Sequence, residues 1–285
     1  MKKLILAVIV ALSASTTFAQ KGKNYLPVSK DWAIGIDATP FLSYFGNLIG
    51  GQDGNVAPTW NNPSVNQVIT GKYFVKDDMA YRASLRVGFG TMNNTTTLED
   101  DASTTTPVYP ELPLLVEDNY RNVSTNIGIS AGFEKRRGFG RLQGYYGAEA
   151  GIAIGSTLEK YTYGNTMTTT GATSTDFGNN ITTDTYDNTA RITDVKSGVN
   201  IGFGLRAFIG AEYFVLPKIS MGGEFGWGLA FTHLGAGSIT TESTDGSTIG
   251  IQTLETDKTN SIGVDTDSNT GLFGPAGSLR MTFHF

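Results

Sequence analysis

The chain contains no cysteine, only two histidines in 285 residues, and charged side chains at just 16% of positions. Each scarcity removes a class of function. Without Cys there is no disulfide, thiolate metal site, Cys nucleophile or N-terminal lipid on Cys. Neither His233 nor His284 has neighbouring ligands at metal spacing. A charged share below the usual ~25% argues against helices laced with Lys–Glu pairs. A net charge of −5 and a pI of about 5.1 deny the broad positive surface that nucleic acid needs. Long apolar runs are also missing after Gln20, so no transmembrane helix is expected. What is plentiful is Gly, at 36 residues, and aromatic side chains, at 11%. Together these predict a sheet protein.

The one apolar run is at the start. Lys2 and Lys3 precede an unbroken stretch from Leu4 to Leu12, and Thr17-Phe18-Ala19 follows as a small-x-small processing site. This order is that of a secretory signal peptide, and the run is too short to cross a membrane as a helix. Residues 1–19 are therefore expected to be removed, leaving 20–285 as one domain.

Beyond it the apolar signal has period two. Val123, Thr125, Ile127, Ile129, Ala131 and Phe133 share one face, against Ser124, Asn126, Gly128, Ser130, Gly132 and Glu134. Residues 195–215 repeat the pattern, with Phe208 and Phe214 as exceptions. Eight strands are predicted, at 31–39, 64–75, 79–92, 120–134, 141–156, 194–215, 218–233 and 271–285. An even number of antiparallel strands can close on itself. Three connections are short: 76–78, 135–140 and 216–217. Four are long: 40–63, 93–119, 157–193 and 234–270. Such alternation is a property of outer-membrane barrels, with short periplasmic turns and long extracellular loops. The last three loops carry 6, 4 and 6 acids against 0, 2 and 1 bases, a net −13, whereas the short turns and N-terminal tail are basic and include Arg136 and Arg137.

The final strand alternates Leu279, Met281, Phe283 and Phe285 with Arg280, Thr282 and His284 and ends on an aromatic residue. It resembles the C-terminal strand signal of bacterial outer-membrane barrels. In length, strand number and loop pattern the chain is similar to the small OmpA- and OmpX-type transmembrane barrels. The run from Trp32 to Tyr44 and the Phe-Ala-Gln site resemble those of small barrel proteins from Bacteroidota. The resemblance implies an all-β, eight-stranded transmembrane barrel in the outer membrane of a Gram-negative bacterium. Unlike full-length OmpA-type proteins, the chain shows no peptidoglycan-binding domain.

With the apolar face toward lipid, ten charged residues point inward: Asp37, Glu134, Glu149, Glu212 and Glu224 against Lys72, Arg82, Arg86, Arg206 and Arg280. The opposite orientation would place several of them on the lipid face, at roughly 2–4 kcal/mol for each Arg or Lys at mid-membrane. An eight-stranded interior is only wide enough for side chains to fill, so these charges are expected to pair as a plug.

Candidate chemistry is sparse. His233 is placed at the outer end of the seventh strand and His284 at the periplasmic rim. Gly235 stands where a lipid A deacylase pattern would have Ser. Asp257-Lys258-Thr259 and Asp265 to Asn269 lack a full calcium-loop ligand series. The sequons at Asn93 and Asn122 carry little weight in bacterial export, and Gly202-Phe203-Gly204 has no helix after it to form a phosphate loop. No catalytic, cofactor-binding or metal residue is assigned, and no cofactor. The expected function is non-enzymatic: a structural or accessory subunit that contacts partners through acidic loops. Outer-membrane lipid, lipopolysaccharide and a larger outer-membrane complex are the expected partners. A narrow channel and a lipid-modifying enzyme are the competing readings.

Overall fold

A computed structural model describes residues 25–51, 69–104, 107–265 and 277–285. The signal segment, residues 64–68 and residues 271–276 of the predicted strands lie outside these, as does most of the Asp265–Asn269 run. In chain order the elements are β1 (Trp32–Asp37), α1 (Thr39–Gly50), β2 (Ile69–Lys76), β3 (Met79–Glu99), β4 (Leu115–Phe139), β5 (Leu142–Thr162), β6 (Ile181–Thr183), β7 (Thr189–Lys196), β8 (Asn200–Leu216), β9 (Ile219–Leu234), β10 (Ser238–Thr244), β11 (Ile249–Glu255), β12 (Thr259–Asp265) and β13 (Gly277–His284).

Eight of these strands form a closed antiparallel ring in the order β1-β2-β3-β4-β5-β8-β9-β13, and β1 pairs with both β2 and β13 to complete it. Each overlaps one of the eight predicted segments, although 194–215 takes in the end of β7 and a break at 197–199 before β8. Along β8 burial alternates without a break from Gly202 to Gly210: even positions are buried or half-buried, and Phe203, Leu205, Ala207 and Ile209 are exposed. The period-two signal is thus an inside–outside signal, with polar side chains enclosed and apolar ones facing out. Phe208 and Phe214, which break the pattern by composition, point inward with the polar set.

The short turns all lie at one end. Asp77-Asp78 links Lys76 to Met79, Gly140-Arg141 links Phe139 to Leu142, and Pro217-Lys218 links Leu216 to Ile219. The segment 25–31 is stitched across that end. Lys218 donates its N–H to Tyr25 O (3.2 Å), Ser29 N–H bonds Asp77 Oδ1 (2.7 Å), and Asp31 pairs with the Lys218 ammonium. The ammonium and the Val28 N–H outweigh partial burial and hold the Asp31 carboxyl below its usual range.

Two expectations need correction. The β4–β5 turn is two residues, not the whole of 135–140, because the ladder continues unbroken to Phe139. Position 136 therefore keeps the inward register of Gly132 and Glu134, and Arg136 is enclosed rather than a wet turn residue. The long connections are also largely structured. β3 and β4 stay paired out to Glu99↔Leu115, so both ends of 93–119 are ladder. Segment 157–193 supplies the end of β5 with β6 and β7, and 234–270 supplies β10, β11 and β12. Segment 40–63 opens with α1, where Pro40 suits a first helical turn and Gly51, at φ +66°, closes the last.

Inward glycines make room for the large enclosed side chains. A Cβ on Gly147 would lie 2.0 Å from Phe133 O and 2.6 Å from the Phe208 ring, whereas one on Gly88 meets nothing nearer than 3.5 Å. Gly147→Ala is therefore expected to cost about 1–3 kcal/mol by overpacking. Gly88→Ala should stay within about 0.5 kcal/mol. Denaturant unfolding of the two variants in detergent measures the difference, and equal stabilities would show that the ring interior is loose.

Candidate functional site

The enclosed face holds one connected set of charges. Arg82 on β3 reaches straight across the ring to β9, four strands away in either direction. There it makes a two-pronged contact with Glu224, Nη1 to Oε2 at 2.6 Å and Nη2 to Oε1 at 2.9 Å. Its Nε lies 3.2 Å from Glu149 of β5. Arg206 on β8 bridges Glu149 and Glu224 at 3.0 and 2.7 Å, and Arg280 on β13 approaches Glu224 at 3.3 Å. Nearer the short turns, Lys72 lies 2.7 Å from Glu134, and Arg136 contacts both Glu134 and Glu212.

Aromatic faces complete the packing. The Arg82 guanidinium sits 4.1 Å from the centre of the Phe208 ring, the Lys72 ammonium 4.9 Å from that of Tyr145, and Arg136 5.1 Å from that of Phe74. Inward Phe208 serves the cations, which is why an aromatic residue occupies a polar register. Of the ten predicted inward charges, the structure brings eight into this network, while Arg86 is buried further along β3 and Asp37 half-buried at the end of β1. Arg136 joins them. The alternation that ends at Glu134 in the sequence reading needed only to be continued one step to find it.

The two histidines are not brought together. His233 is half-buried on β9, with Nδ1 2.7 Å from Asn260 Oδ1 on β12. His284 is enclosed, between the rings of Phe74 and Phe214, with Nε2 3.3 Å from Ser220 Oγ. Ser220 also donates to Glu212 at 2.9 Å. The carboxylate thus contacts the serine instead of orienting the imidazole, which is not the order of a Ser-His-Asp triad. Among the described residues no group of three or more His, Asp or Glu could hold a metal.

Beyond the ring, β3, β4 and β5 run on and are joined by β7, β10 and β11 into a protruding sheet. Buried polar groups pin it. Asp118 on β4 is fully enclosed and accepts from Gly164 N–H (2.8 Å), Asp176 N–H (3.0 Å) and the Thr175 hydroxyl. Asn165 donates to Glu99 O at 2.9 Å and accepts from Asp101 N–H at 2.9 Å. Arg191 on β7 donates to Asn165 O at 2.7 Å, pairs with Glu242 on β10, and lies 4.2 Å over the Tyr163 ring. Tyr120, Tyr161 and Phe177 pack beside it, and partial burial plus a bond to Glu159 raises the Tyr161 phenol to about 12. At the tip of the β10–β11 turn, the Thr248 and Ser247 N–H groups hold the Asp245 carboxyl below its usual range. Asp118 and Glu242 are thus spent internally, while Glu99, Glu111, Glu117, Asp176, Asp187, Glu255 and Asp257 stay exposed. The acidic surface is real but smaller than the sequence total of −13.

Neither a family model nor any curated protein matches this chain.

Two substitutions separate the enclosed set from the outer one. Arg82→Ala leaves Glu224 and Glu149 short of a partner and is expected to cost about 3–5 kcal/mol, against within about 0.5 kcal/mol for Arg137→Ala at an exposed position near the end of β4. Unfolding midpoints of the two variants check this. Asp118→Ala leaves three part-buried donors without their carboxylate and is expected to cost about 1–3 kcal/mol in all. It should open the outer sheet to protease between residues 160 and 260 while the ring stays resistant; uniform digestion, or none, would contradict the division.

Proposed function

We propose that the chain is an outer-membrane β-barrel of the small eight-stranded type, with a packed lumen and a structured acidic projection that contacts other proteins. One observation carries the membrane reading, the inverted distribution of polarity. Charges are enclosed, while Tyr81, Leu85, Val87 and Phe89 on β3 and Phe203, Leu205, Ile209 and Trp227 on β8 and β9 are all more than 40% exposed. A contiguous apolar surface around a whole ring has no place in water. On β3 it runs from Tyr81 to Phe89, which fits the roughly 9–11 residues of a membrane-crossing strand. Trp32, Tyr73, Tyr81 and Phe133 sit in register on four successive strands near the short turns, as an interfacial aromatic girdle would. Among the described residues no helix is long and apolar enough to cross a membrane, which says nothing of strands.

A passive lumen is supported by the Arg82–Glu224 contact, which spans the ring, and by Phe208, Phe214 and Tyr145 filling the space beside it. Function is then placed on the projection. Its exposed carboxylates favour a basic partner surface, whose approach long-range attraction would accelerate. A larger outer-membrane assembly is the kind of partner this suits.

The barrel reading predicts an all-sheet spectrum in detergent and faster gel migration before boiling than after. Identical migration, together with a monomer that stays soluble without detergent, would overturn it. In planar bilayers no steady openings are expected. Ion-selective openings altered by Arg206→Ala would favour the channel instead.

A further inference from the structure

We infer that the open edge of β11 is a docking strand that takes an extended, basic segment of a partner protein as an additional antiparallel strand. The inference rests on the reading of the projection as a contact surface and states how the contact is made.

The hydrogen-bond phase of the β10–β11 hairpin fixes which groups are offered. Thr256 N–H bonds Gly237 O at 3.1 Å and Asp245 N–H bonds Thr248 O at 3.3 Å, and the register between them runs without a shift, with Glu242 opposite Ile251. Bonded and non-bonded pairs alternate in an antiparallel ladder. Gly250, Gln252 and Leu254 therefore bond to β10, and Ile249, Ile251, Thr253 and Glu255 aim their N–H and C=O groups the other way. Among the described residues no strand meets them there.

Such an edge is usually blunted by Lys, Pro or a bulge. Residues 249–255 contain none of these. The strand is also held in shape, since Gln252 Oε1 accepts from both the N–H (3.4 Å) and hydroxyl (3.2 Å) of Thr185 on the side away from Ile251. Ile251 itself is 75% exposed. A preformed, unprotected edge is the main-chain requirement for strand addition.

Charge selects the occupant. Residues 245–258 carry Asp245, Glu255 and Asp257 against a single base, Lys258. A basic strand meets this acidic excess with opposite charge, whereas a second copy brings the same excess to the edge.

The test uses the full chain in detergent micelles, a fluorescent peptide of alternating Lys and Val, and the same peptide with Glu for Lys. The Lys peptide should bind and slow amide exchange at Ile249, Ile251, Thr253 and Glu255, and the Glu peptide should not. Ile251→Pro removes an outward N–H without touching the β10 ladder and should weaken binding about tenfold or more, while Ile251→Ala, which keeps it, should change binding less than about threefold. Thr253→Pro gives a second readout, and the heat shift on gels confirms an intact ring in each variant. Lys-peptide binding that ignores both prolines overturns strand addition but leaves an acidic contact surface standing. No binding of the Lys peptide overturns both. Self-association of the chain that is lost in Ile251→Pro assigns the edge to a second copy and overturns the proposed occupant.

Discussion

Arg82 and Glu224 face each other from opposite walls of the ring, and their contact sets the terms for everything around it. Two ions enclosed together survive only if every lone pair and proton is answered, because removing either leaves a buried charge at a cost of several kcal/mol. Arg206 and Arg280 share Glu224 with Arg82, and Glu149 is divided between Arg82 and Arg206. The space for these long side chains comes from the glycines on the same face, and the desolvated cations are further covered by Phe208, Tyr145 and Phe74. Filling the interior with charge leaves the apolar side chains only one place to go, which is outward.

Strand number, order and facing were legible in the sequence because one physical variable, the side on which each residue lies, is written with period two across the ring. Glu134, Arg206 and Glu224 could be placed inside from that period alone. What was missed lies where the variable changes or stops. Arg136 sits one step past an apparent strand end, in a run of three bases that reads as a solvated turn. The outer parts of β3 and β4 carry polar side chains on both faces, so Thr95 to Thr97 and their partners Asn119 to Glu117 show no apolar alternation, although they are fully paired. α1 begins in a stretch whose Pro and Gly read equally well as loop punctuation.

The same contrast explains how the protruding sheet is held. It has little apolar burial, and its order comes from groups such as Asp118, Asn165 and Arg191, each answering several partners at once. No local pattern announces such residues. Asp118 is one more Asp in an acidic segment until Gly164 and Asp176 are folded over it from 46 and 58 positions away.

Ring closure joins the two extremes of the described chain. β1 is held by β13 through Ala33↔His284 and Asp37↔Arg280, so the first strand to be made finds its second neighbour only when the last has arrived. Contacts of such long separation carry a heavy loop-closure entropy before they return anything, and they slow folding accordingly. Until that closure the ring strands present two unpaired edges and an exposed apolar face, the conditions under which strands pair with the wrong partner. Its survival over that interval is governed by whatever keeps it extended, and the closed ring, once formed, has no free edge within its wall from which pairing can fray.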